Sequence, residues 1–134
     1  MENQHAQKMS VILISPDLEK LHAGALVGSV AAAAGMEVNL FVTMGALQSF
    51  LKTAVANKNF TRGSIGQTML DKEVPLFYNL LQDGKDIGEL SVYACAMAMD
   101  LMEWEKGDLL EIVDDVIGIT AFLNMSQNSQ VIVM

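Results

Sequence analysis

The sequence predicts an α/β domain in which a parallel sheet is covered by helices on both faces. Three observations lead there. Short, nearly continuous apolar runs rich in β-branched residues recur along the chain, the first being Met9-Ser-Val-Ile-Leu-Ile-Ser15; strands buried on both faces read this way. Helical segments separate the runs, so that strand and helix alternate five times, the order of a parallel sheet built with right-handed crossovers. The 134 residues are 51 % hydrophobic and 18 % charged, which suits one packed core and a single domain over residues 1–134.

Taken in order, Met1 to Lys8 is polar and reads as a flexible tail with no apolar secretion signal. After the first strand, Ser15-Pro16-Asp17 starts a helix, with Ser15 as cap and Pro16 in the first helical position. The helix runs to Ala34, with Leu18, Leu21, Ala25, Leu26 and Ala32 on its buried stripe and Gly35 as the left-handed residue that ends it. Gly24 and Gly28 allow a neighbouring backbone to approach. Glu37 to Thr43 is the second strand and Met44 to Lys52 a short helix. Thr53 to Lys72 reads as the longest irregular stretch, of the length that covers a site or an interface. Val74-Pro75 opens a helix to about Gln82, closed by Asp83-Gly84. Leu90 to Ala94 is the third strand, followed by Cys95 and a helix over Ala96 to Glu103. A break at Lys106-Gly107-Asp108 and a helical turn over Leu109 to Glu111 precede a fourth strand, Ile112 to Ile117, with Asp114 and Asp115 inside it or at a bend. A helix over Gly118 to Gln127 carries Ile119, Phe122, Leu123 and Met125, and Gln130 to Met134 is the last strand.

Composition bounds the function. The net charge is −8, with 16 Asp and Glu against 8 Lys and Arg, and that field repels phosphate backbones and anionic headgroups. Neither nucleic acid nor a membrane surface is an expected partner. Ala23 to Met36 is too short and too mildly apolar to span a bilayer. A lone cysteine makes no internal disulfide, so a free thiol in a reducing, cytoplasmic compartment is expected. One Cys and two isolated histidines, His5 and His22, give no metal-ligand spacing. No cofactor motif is present either: Gly63-Ser-Ile-Gly66 lacks the lysine of a phosphate loop, no G-x-G-x-x-G follows a strand, and no nucleophile elbow exists.

Chemistry therefore centres on Cys95, between the third strand and the helix after it. That turn lies at the carboxyl edge of the sheet, where functional groups gather, and the amino end of a helix favours a thiolate. Met97, Met99, Asp100 and Met44 are the candidate lining of a pocket there, since thioethers suit soft sulfur. Methionine also fills core gaps, and a free cysteine packs as a small hydrophobe, so a structural role stands beside the functional one.

The run Val92-Tyr-Ala-Cys95-Ala-Met-Ala-Met-Asp-Leu-Met102 resembles the cysteine motif of the DsrE/DsrF-like (DsrEFH) sulfur-carrier family. Ala32 to Thr43 is similar to that family's second strand junction, and Asp108-Leu-Leu with Gly118-Ile-Thr-Ala-Phe-Leu to its closing segment. The resemblance implies a three-layer α/β/α sandwich with a mainly parallel five-stranded sheet, assembled as a homo-oligomer. It also implies a cysteine, Cys95, that carries sulfur as a persulfide between donor and acceptor proteins. Relatives often have Gly where this chain has Glu103, and there is no second cysteine, so a relay needs a thiol on another protein. The alternative is a non-catalytic binding or assembly module with Cys95 buried. A small-molecule or nucleotide regulator would rest on the 53–72 stretch and has no motif behind it.

Overall fold

A computed structural model describes residues 7–134. The strands are β1 (Lys8–Leu13), β2 (Glu37–Val42), β3 (Glu89–Cys95), β4 (Asp115–Ile117) and β5 (Ser129–Val133). The helices are α1 (Leu18–Ala33), α2 (Met44–Gln48), α3 (Lys52–Ala56), α4 (Ser64–Asp71), α5 (Phe77–Ile87), α6 (Ala96–Met102) and α7 (Ile119–Met125). All four strand pairings are parallel, in the order β4-β3-β2-β1-β5. The chain thus adds strands outward from β1 on one side, then crosses back to place β5 on the other.

The layers follow from which side chains meet. Gly28 of α1 lies against Val38 and Leu40 of β2, whereas Phe122 of α7 stacks on Phe41 with ring centroids 4.9 Å apart. Successive strand residues face opposite sides, so α1 and α7 sit on opposite faces and the fold is a three-layer α/β/α sandwich. α5 shares the α1 face: at Gly84 an added Cβ would stand 3.2 Å from the Ser29 backbone, and at Gly88 only 2.3 Å from the Ala32 carbonyl oxygen. The core between these helices and the sheet is Val11, Leu13, Leu18, Leu21, Leu40, Leu81 and Val92, all fully buried.

Several expectations need correction. Lys8 is the first residue of β1, paired with Glu37 and Ser129; residues 1–6 of the expected tail, with His5, lie outside the described residues. Ser15 and Pro16 precede α1, whose cap position is Asp17, and Ser15 Oγ instead accepts the Asp17 N–H at 3.1 Å. Leu26 is 46 % exposed and leaves the buried stripe. Gly24 and Gly28 face Leu13, Val38 and Leu40 of the sheet; the close helix approach is made by Gly84 and Gly88. The 53–72 stretch holds α3 and α4, α5 runs through Asp83-Gly84, and Leu109 forms a bridge with Leu51 where a helical turn was expected. The fourth strand shrinks to three residues because the Asp114 carboxylate accepts the Val92 N–H at 2.8 Å and pairs with Lys85. Ile119 and Leu123 of α7 are exposed, and Phe122 is its one fully buried residue.

α4 is held by a carboxylate from another helix. Glu19 of α1 accepts the N–H groups of Gly63 and Gly66 at 2.8 and 2.9 Å, supplying the acceptor that the amino end of a helix lacks. These bonds, foremost that from Gly66, hold the Glu19 carboxyl below the usual carboxylate range. A depressed acid stabilises the fold above its unfolded titration point, and that contribution is lost as pH falls through the lower, folded one. We therefore expect the Gly63 and Gly66 amide resonances to titrate below the usual carboxylate range in the wild type. In Glu19→Gln the same resonances should not titrate; an unchanged titration would assign the effect to another group.

Helices α1, α3, α4 and α6 end alike. In each, two N–H groups fold back on the last carbonyls, as Gly35 and Met36 do onto Ala32 and Ala31 at 3.0 Å, and one residue adopts the left-handed conformation. That residue is Gly35 in α1, but Lys58, Glu73 and Glu103 in the others, with φ of 52, 54 and 58°. A side chain there costs about 1 kcal/mol or more. In α6 the helix stops at Glu103, which carries that cost. Glu103→Gly is expected to raise stability by about 0.5–1 kcal/mol, read as a higher urea midpoint at constant slope.

Candidate functional site

Cys95 closes β3, an interior strand, and is the cap residue of α6. The strand ends there because the apolar run gives way to Ala-Met-Ala-Met, whose helix formers carry the chain away from the sheet. Register fixes its neighbours. Ala94 pairs with Val42 and Cys95 with Ile117, so Thr43 and Ile117 flank Cys95 on the strands to either side. Alternation puts Ser91, Tyr93 and Cys95 on the α7 face. Cys95 is 5 % exposed and belongs to the main core. Its side chain accepts no cap hydrogen bond from α6.

The other candidates separate. Met99 is buried in the core, whereas Met97 is 57 % exposed and Asp100 is exposed on the outer side of α6. Residues two apart on a helix face different ways, so Met97 and Met99 do not line one pocket. Met44 lies just past the end of β2, half exposed, in the left-handed conformation with φ 52°. Such strain in a non-glycine residue gathers at working sites, and here it falls one strand over from Cys95. Clefts of about 760, 220, 370 and 380 Å³ open on the described surface, and none of these four is lined by Cys95 or by those methionines.

Every strand instead ends beside an exposed apolar residue at the carboxyl edge: Ile14 after β1, Met44 after β2, Met97 after β3, Ile119 after β4 and Val133 in β5. Sequence reasoning missed Thr43, Tyr93 and Ile117 as the surroundings of Cys95. The alternation Ser91, Tyr93, Cys95 was legible, but the register that brings Thr43 and Ile117 level was not. Among the described residues, His22 Nδ1 is buried without a hydrogen-bond partner. Among the described residues no group of three or more His, Cys, Asp or Glu comes together to hold a metal ion, and no helix is long and apolar enough to cross a membrane.

The chain is thus a small α/β sandwich with a cysteine at the carboxyl end of an interior strand. The model of the DsrE/DsrF/DrsH-like family matches residues 47–134, more than half of the sequence and the part that holds Cys95. The chain belongs to that family. Among solved structures it is similar to a protein of unknown function, MTH1491 from Methanobacterium thermoautotrophicum, with a TM-score of 0.61 at 11 % identity. The match covers 96 % of this chain and 99 % of that one, a likeness of fold. No curated protein matches the sequence.

Proposed function

We propose that this protein is a sulfur carrier that holds sulfane sulfur on Cys95 and passes it to a partner thiol. The observation that supports this most is the position of Cys95: the last residue of an interior strand, inside the segment that places the chain in the DsrE/DsrF/DrsH-like family. In the loading step the Cys95 thiolate attacks the outer sulfur of a donor persulfide. A new S–S bond forms, the donor's S–S bond breaks, and the donor leaves as its thiolate. In the unloading step an acceptor thiolate attacks the outer sulfur of Cys95–S–SH, and Cys95 is the leaving group. Each step exchanges one S–S bond for another, with no external oxidant.

Partner proteins fit this reading better than a free small molecule. A cysteine this deeply buried is reached when a docked surface brings donor sulfur to the carboxyl edge, and the exposed Ile14, Met44, Met97 and Ile119 offer apolar contact around it. Homo-oligomer assembly is part of the proposal. The small-residue stripe of α1 does not support it, because Gly24, Gly28 and Ala32 are buried within the chain. Support comes from the α7 side of the sheet, where one seven-residue helix leaves Val131 and Val133 more than half exposed. Light scattering at micromolar concentration should return a multiple of 14.5 kDa; the monomer mass would remove this part.

The burial of Cys95 equally favours the second reading, an assembly module with an inert thiol. One experiment separates them. Wild type and Cys95→Ser are incubated with a polysulfide and weighed intact. A carrier gains about one sulfur mass, reversibly with reductant, and the Ser variant gains none. If the wild type stays unmodified with a polysulfide and with a persulfidated protein donor alike, Cys95 is a packing residue.

A further inference from the structure

We propose that the cleft where α3, α4 and α5 meet binds a small molecule with an apolar body and charges of both signs, of the class of apolar amino acids and short apolar peptides. Its volume of about 760 Å³ lies in the range of small-ligand sites. Half-buried Met69 and Val74 supply an apolar wall. Lys58 lines it with its ammonium bonded to the Tyr78 hydroxyl and 5.3 Å from the Tyr78 ring centroid. The carboxylates of Glu73 and Asp83 line the same cleft. Among the described residues, none of these three charges is paired in a salt bridge.

Two of the three also occupy costly positions. Lys58 ends α3 and Glu73 ends α4 in the left-handed conformation, where glycine is unstrained. α1 uses glycine at the equivalent place. Two successive helices instead carry opposite charges there, and both charges line one cleft. Glu103 ends α6 in the same conformation and lines none of the four clefts, so it is the convergence of two such charges on one cleft that points to a ligand. The charge balance selects the ligand class. One cation against two carboxylates disfavours a polyphosphate and so argues against a nucleotide. An anion alone faces Glu73 and Asp83, and a cation alone faces Lys58. A zwitterion places its carboxylate at Lys58 and Tyr78 and its ammonium at the acids, with its apolar part on Met69 and Val74. This site is independent of the sulfur-carrier reading of Cys95.

The probe is the dipeptide leucyl-phenylalanine, followed by amide chemical shifts and calorimetry, beside its N-acetyl and C-amide forms. Saturable shifts confined to Lys58, 69–79 and Asp83 are expected, with affinity of about millimolar or better and a loss of roughly tenfold on blocking either end. Lys58→Gly and Glu73→Gly should each weaken binding about tenfold while raising the melting temperature by about 3 °C, so lost binding cannot be ascribed to misfolding. The proposal is overturned if no shifts appear at about 10 mM peptide, or if blocking the ends leaves affinity unchanged. It is equally overturned if the glycine variants bind as the wild type does.

Discussion

Phe122→Ala is expected to lower stability by about 3–5 kcal/mol and to expose Cys95. Phe122 is fully buried, is the one such residue of α7, and meets Phe41 at 4.9 Å. Truncation removes the ring's burial, leaves a cavity over β2, and forfeits an aromatic pair. A domain of this size has about 5–15 kcal/mol to lose, so the variant sits near its threshold. The loss falls on the face that holds Cys95. Thiol alkylation should therefore accelerate more in Phe122→Ala than in Leu21→Ala, which opens the opposite face, when the two are compared at equal stability. Urea denaturation and the rate with iodoacetamide check both parts. Equal acceleration in the two variants would mean that the thiol is reached by global unfolding alone.

Gly88→Ala is expected to be as damaging, at about 3 kcal/mol or more. An added Cβ would lie 2.3 Å from the Ala32 carbonyl oxygen and 2.8 Å from its carbon. Both are backbone atoms of α1 that cannot swing aside as a side-chain tip can. The turn into β3 must then lift from α1, or α1 must shift across the sheet. Gly107→Ala is the matched control, since no atom of the described residues outside its immediate neighbours stands within 4 Å of its new methyl; it should stay within about 0.5 kcal/mol of wild type. Similar midpoints for the two variants would show that the helix contact yields more easily than its geometry indicates.

Much of this architecture is legible in the sequence because buried parallel strands are continuous apolar runs. Met9 to Ser15, Glu37 to Thr43 and Leu90 to Ala94 each mark a strand to within a few residues, and the change at Cys95 marks the end of β3. What escaped local reading depends on distant partners. α4 looks irregular because its first turn is satisfied by Glu19, 44 and 47 residues away from Gly63 and Gly66. Asp83-Gly84 reads as a helix stop, yet α5 continues through it because Gly84 is where Ser29 comes close. Ile112 and Val113 are buried as expected of a strand, but the Asp114 side chain occupies the first pairing position and delays β4. At the candidate site, the sequence indicates which residue ends the strand. It does not indicate that Met97 turns outward while Met99 turns in, or that Thr43 and Ile117 come level with the sulfur.

The order β4-β3-β2-β1-β5 has a consequence for how the molecule comes into being. β1 is made first and pairs on one side with β2 and on the other with β5, whose residues follow it by more than a hundred positions. During synthesis, four strands can assemble one after another while the outer edge of β1 waits, its amide groups open to any extended chain nearby. The buried Ser10 hydroxyl waits with it, because its partners Ser126 and Ser129 are also made late. The nascent chain is therefore most vulnerable to mispairing in the interval before β5 emerges, and closing β5 onto β1 is the act that makes the sheet whole.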